Sequence, residues 1–213
     1  MGRICAIAEN AVAETNSQQS GRISLVLYRV YFCTQHSGGK DIVANSTARP
    51  KESSEQTEAA TRCSECGAQI EDGNAGCEAL FNELGARDFS DPRYGATHEL
   101  LVDAYCLQHP ERYCHSAKSY AAHLTRMCCG VERGGKREIY AAIPRWLSGP
   151  AKIERPETLT QRGSMTIADL RSAQTPEEHV KLVREWAANI WRAYAAQHEI
   201  ARRWLDAALG RKA

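Results

Sequence analysis

The segment Cys63-Ser64-Glu65-Cys66-Gly67 carries the residue types and spacing best suited to chemistry. Two residues between the cysteines let both sulfurs reach one tetrahedral ion. The glycine after the second permits the tight turn that points backbone N–H groups at thiolates. Asp72 to Gly76 reads as a turn-rich loop that returns the chain to Cys77. That cysteine is expected in the first turn of a helix, where the helix dipole favours a thiolate. The pattern Cys-x2-Cys-x10-Cys supplies three ligands, and a histidine would complete the set. His98 is preferred, then His123, with His109 and His115 also near. Three thiolates and an imidazole suit zinc. A closed set of four makes a structural site, whereas three ligands plus water would make an open, catalytic one. The pair could instead be a redox couple or two ordinary thiols.

A second group of chemistry-bearing residues lies between His98 and Pro110. His98, Val102, Tyr105 and His109 share one helical face. Asp103, His109 and His123 are the catalytic candidates, as metal-assisted or general acid–base groups. Histidines on facing helices, His198 included, could converge in one polar cavity. The plainer expectation is that each is a core histidine with both nitrogens bonded, and Asp103, Tyr105 and Gln108 are natural partners for that. Cys106, Cys114, Cys128 and Cys129 show no ligand spacing and read as small core or surface residues.

The elements that must position these groups are mainly helical. Cys77, Leu80, Phe81 and Leu84 give one apolar face, and Asp91-Pro92 marks a turn. A second helix is predicted from about Pro92 or Tyr94 to Gln108, ended by Pro110. Ser116 caps a third, which Gly134-Gly135 stops. Ile139 to Leu147 is a short helix, and Ser148 to Ser164 a loop. Thr166 and Thr175 open capping boxes, the second followed by Pro176 at the first helical position. The stripe from Val180 to Ala208 predicts one long last helix, with Trp186, Trp191 and Trp204 as packing anchors. The fold class is therefore a helical bundle preceded by a small zinc knuckle.

The chain has 213 residues, 43% of them hydrophobic, and a formal net charge of +1. That length suits one domain plus a tail, with residues 63–210 as the domain. Near-neutral charge without a basic stripe argues against nucleic acid. No run approaches the roughly 20 apolar residues that span a membrane. The nine cysteines are odd in number and no export signal is evident, so a reducing cytoplasm is expected. Thr34 to Arg62 is rich in Ser, Thr, Gly, Glu and Gln. Residues 1–62 are accordingly read as a disordered extension or an overextended gene start.

The chain resembles a family of small, uncharacterised bacterial proteins classed as a domain of unknown function. The resemblance runs from about residue 63 to 205. It is carried by the Cys63-x-x-Cys66-Gly67 knuckle, Cys77-Glu78-Ala79-Leu80-Phe81 and Phe89-Ser90-Asp91-Pro92-Arg93-Tyr94. His98-x4-Asp103-Ala104-Tyr105-x2-Gln108-His109-Pro110, Ser116 to Ser119 with His123-Leu124, and Val183 to Ala187 complete it. It implies a domain boundary and brings no activity. Three readings follow: a zinc-binding helical protein whose metal is structural, a metal-dependent hydrolase or thiol-linked transferase, and a protein-interaction or regulatory module. A protein partner or a homo-oligomer fits the composition.

Overall fold

The computed structural model describes residues 61–211. The extension read for residues 1–62 lies outside them, apart from Thr61 and Arg62. These two already belong to the folded unit. Ile70 N–H donates to the Thr61 carbonyl at 2.9 Å, and Arg62 pairs with Gln69 in an antiparallel bridge. The knuckle sits on the tip of this small hairpin.

The α-helices that follow are α1 Gly73–Ser90, α2 His98–Gln108, α3 Pro110–Tyr113, α4 Ala117–Glu132, α5 Arg137–Ser148, α6 Pro176–Ala193 and α7 His198–Ala208. Short 3-10 turns at Tyr94–Thr97, Ile167–Ser172 and Ala195–Gln197 join them. Among the described residues there is no extended strand, and the chain is mainly helical, as its periodicity predicts. Helix α4 is the hub, packing against α2, α5, α6 and α7. Helix α2 is buried along most of its length, with Leu101 and every residue from Asp103 to Gln108 inside. No helix of the described residues is long and apolar enough to cross a membrane.

The punctuation works as its chemistry requires. Ser116 Oγ accepts from the Ser119 N–H and Ser119 Oγ reaches back, so α4 starts in a capping box. Thr175 and Glu178 do the same for α6, with Pro176 pre-set at the first helical position. Gly134 and Gly135 follow α4 at φ 69° and 65°, the left-handed region glycine tolerates.

Three expected boundaries move. Helix α1 starts at Gly73, so of the expected loop only Asp72 stays a turn and Cys77 lies in the second turn of the helix. Gly76 explains this: a Cβ there would stand 1.8 Å from the Glu71 carbonyl oxygen, so only glycine lets the chain fold back so tightly. The second helix opens as a 3-10 turn at Tyr94 and becomes α-helical at His98. The single long last helix is two, broken at Ala195–Gln197. Tertiary bonds override the local pattern there. Tyr120 Oη donates to Gln197 Oε1 at 2.6 Å, Gln197 Nε2 donates to the Glu157 carbonyl at 2.8 Å, and Tyr194 Oη donates to the Leu107 carbonyl at 2.7 Å.

Candidate metal centre

Cys63, Cys66, Cys77 and His109 bring three sulfurs and one ring nitrogen within 4.8 Å of one another. The Cys66 and Cys77 sulfurs are 3.8 Å apart. His109 Nε2 stands 3.5 Å from the Cys63 sulfur and 3.4 Å from that of Cys77. Metal–sulfur bonds of about 2.3 Å and a metal–nitrogen bond of about 2.0 Å, set at the tetrahedral angle, give edges of about 3.8 Å and 3.5 Å. The four groups thus form a set that could hold a metal ion.

Local structure fixes each ligand. Gly67, at φ 77°, turns the knuckle so that its N–H donates to the Cys63 carbonyl at 2.9 Å, while Cys63 N–H donates to the Ala68 carbonyl at 2.9 Å. Asn74, in the first turn of α1, clamps the knuckle from the other side. Its Oδ1 accepts from the Ser64 N–H at 2.7 Å and its Nδ2 donates to Ser64 Oγ at 2.9 Å. Residue types alone did not mark Asn74, because the bond depends on α1 starting four residues before Cys77. His109 caps the end of α2 in an irregular conformation, and Pro110 begins α3 directly after it. Its Nδ1–H donates to the Tyr105 carbonyl at 2.7 Å. That bond fixes the tautomer and leaves Nε2 with a lone pair aimed at the sulfurs, the usual setting of a metal-binding histidine.

Electrostatics make the same demand. Hydrogen bonds from Cys66 and Cys77 hold the Cys63 thiol far below its usual range. The contacts with Cys63 and Cys66, together with burial, push Cys77 far above it. Burial disfavours charge on His109, yet its bonds to Cys63 and Cys66 carry the imidazole up to about 9. Three thiols this close cannot all ionise unless a cation neutralises them. Cys63, Cys77 and His109 are buried, whereas Cys66 is partly exposed and lines a groove of about 660 Å³ with Arg62, Glu65, Gln161 and Arg162.

The histidine preferred from sequence, His98, is not beside the sulfurs. Its Nδ1 bonds Asp88 Oδ2 at 3.0 Å near the far end of α1. The physical reason is that α1 and α2 run antiparallel. The contacts Cys77 with His109, Phe81 with Tyr105 and Asp88 with His98 step along the two helices in opposite directions. The start of α2 therefore meets the end of α1, and only the end of α2 reaches Cys77. His115 is exposed before α4.

The histidines do not converge in one cavity either. His123 Nδ1 donates to Asp103 Oδ1 at 2.9 Å, and Arg126 Nε donates to the same oxygen at 3.0 Å. Arg126 also pairs with Glu99, so the network ties α4 to α2. His198 Nε2 donates to the Trp191 carbonyl at 2.7 Å and stacks on the Trp191 ring at the helix break. Of the catalytic candidates, Asp103 and His123 meet each other, and His109 stands with the cysteines. Gln108 donates to the Arg162 and Met165 carbonyls at 3.1 and 2.7 Å and accepts from Trp186 Nε1, anchoring the loop before α6.

No curated protein and no solved structure matches the chain. A family model does: residues 61–195, from the knuckle hairpin through the end of α6, match it, and the chain belongs to that family of unknown function, DUF5946.

Proposed function

We propose that the protein binds one zinc ion through Cys63, Cys66, Cys77 and His109, and that this ion is a structural staple for the helical domain. The observation that carries the reading is the convergence of four ligand atoms within 4.8 Å, three of whose six separations, 3.8, 3.5 and 3.4 Å, match the edges of a tetrahedron around such an ion. Three thiolates and an imidazole are soft and borderline donors, which favour zinc over magnesium or calcium. The protein fills all four positions, so none is left for a substrate or a reactive water, and this supports a structural role over a hydrolytic one. The ion would join three pieces of chain: the hairpin at Cys63 and Cys66, α1 at Cys77 and the α2–α3 corner at His109. A set of three thiolates needs reduced cysteines, which fits a reducing, cytoplasmic location.

Elemental analysis of the purified full chain tests this. One zinc per chain is expected, and Cys63→Ser and Cys77→Ser should lose the metal and the cooperative unfolding transition together, because metal binding is folding energy here. A metal-free protein of full stability would sink the proposal, and so would a Cys77→Ser protein that keeps its zinc.

A further inference from the structure

A second cluster lies apart from the metal ligands. Asp88, in the last turns of α1, is buried and accepts from two histidines. His98 Nδ1 bonds one oxygen and His179 Nε2 bonds the other, each at 3.0 Å. The carboxyl is held below its usual range; burial opposes this, and the bonds from His179 and His98 outweigh it. This is not a metal site. The two ring nitrogens bind opposite oxygens, and among the described residues these three do not close into a set of converging ligand atoms.

The tautomers follow from the surroundings. His179 is fully buried and its Nδ1 has no partner. A proton on Nδ1 would be buried and unpaired, so Nε2 is the nitrogen that donates to Asp88. His98 differs. Its side chain is 11% exposed, its Nδ1 is committed to Asp88, and among the described residues its Nε2 makes no hydrogen bond and is not one of the buried unpaired atoms. Phe89 lies tilted against the His98 ring with centroids 4.7 Å apart, and it is the exposed large hydrophobic side chain of the described residues, at 45%.

We propose that His98 is the proton-accepting group of a second site, aligned by Asp88 and His179, which takes a ligand with an apolar or aromatic face against Phe89 and a hydroxyl or thiol at Nε2. In the step, the X–H bond of the ligand breaks, its electron pair stays on X, and the proton joins Nε2. The positive charge on the ring is met through Nδ1–H by the Asp88 carboxylate, whose other oxygen His179 already holds. Return of the proton to X resets the ring. Asp88 and His179 are positioning residues and do not touch the ligand. The site is independent of the zinc reading.

Carbethoxylation of the full chain by diethyl pyrocarbonate, followed residue by residue by peptide mass spectrometry, tests the nucleophilicity of Nε2. His115 is the internal reference, being exposed. On exposure alone His98 would react more slowly than His115. We expect it to react faster, by about tenfold, because the carboxylate raises the nucleophilicity of the opposite nitrogen. In Asp88→Asn the rate should fall below that of His115. Wild-type His98 reacting no faster than His115 overturns the proposal, and that comparison needs no variant. Phenol, added as a probe, should slow modification of His98 in the wild type and not in Phe89→Ala. Equal rates with and without phenol in the wild type overturn the docking against Phe89.

Discussion

His98 and His109 lie at opposite ends of one helix and meet opposite chemistry: one faces a carboxylate, the other a cluster of sulfurs. The distinction predicts a clean separation of phenotypes. His109→Gln should weaken zinc binding by more than about 100-fold, since it removes a ligand and leaves three sulfurs without a fourth donor. His98→Gln should keep the metal, as a competition titration with a chromophoric chelator would show. If His98→Gln loses zinc while His109→Gln keeps it, the ligand assignment is wrong. His123 offers a prediction of another kind. Burial lowers its imidazole from 6.5 to about 4. The neutral form is thus the folded one. Its stabilising contribution is complete above pH 6.5, the unfolded value, and is lost as pH falls toward 4. Urea unfolding at pH 7 and pH 5 should show the loss, and His123→Gln should show less of it. An equal loss in both proteins would place the acid sensitivity elsewhere.

At the scale of elements, the caps were legible from local sequence because each is a contact between near neighbours. Ser116 with Ser119, and Thr175 with Glu178, lie within one turn. Replacing Thr175 with Ala should cost about 1 kcal/mol in thermal or urea unfolding, the usual worth of an N-cap. The fourth ligand was not legible in that way. Helical periodicity puts His98 and His109 on one face of α2 and says nothing about which end meets Cys77. The missing piece is the antiparallel register of α1 on α2, carried by the stacked pair Phe81 and Tyr105, whose centroids are 4.0 Å apart. A hairpin of helices fixed by that pair would have aligned Cys77 with His109 from sequence alone. The break between α6 and α7 was hidden for a similar reason, since the partners of Gln197 lie at Tyr120 and Glu157, far along the chain. Gly76 is the sharpest element-level test. A methyl group would clash with backbone, which cannot yield cheaply as a side-chain tip can. Gly76→Ala should therefore shift the start of α1, displace Asn74 from Ser64 and destabilise by more than about 2 kcal/mol, with zinc released at lower denaturant. A Gly76→Ala protein with unchanged zinc release would mean that the hairpin is positioned by something other than the turn before Cys77.

For the whole molecule, the question is which segments the hub α4 needs around it. Helix α7 covers α4 with Ala201 and Leu205 fully buried and with Ile200 and Trp204 packed at the edge. The ion pair of Arg202 with Glu132, at 2.6 Å, closes the same contact from α4. Each large apolar side chain is worth about 1.5–3 kcal/mol when fully buried, less for the two that are half-covered. Their sum, about 4–6 kcal/mol, approaches the lower end of the stability of an ordinary domain, about 5–15 kcal/mol. Ending the chain at Ala196 should therefore abolish cooperative unfolding, even with the complete zinc set and α1 to α6 present. Starting it at Thr61 should be harmless, because the hairpin that seats the knuckle closes at Thr61 and Ile70. Matched urea titrations of the two shortened chains and the full chain, each with its zinc content measured, separate the contributions. Retained cooperativity without α7 would mean that the zinc staple alone holds α4 in place. Lost cooperativity in the chain beginning at Thr61 would mean that the domain reaches further toward the N-terminus than the knuckle hairpin.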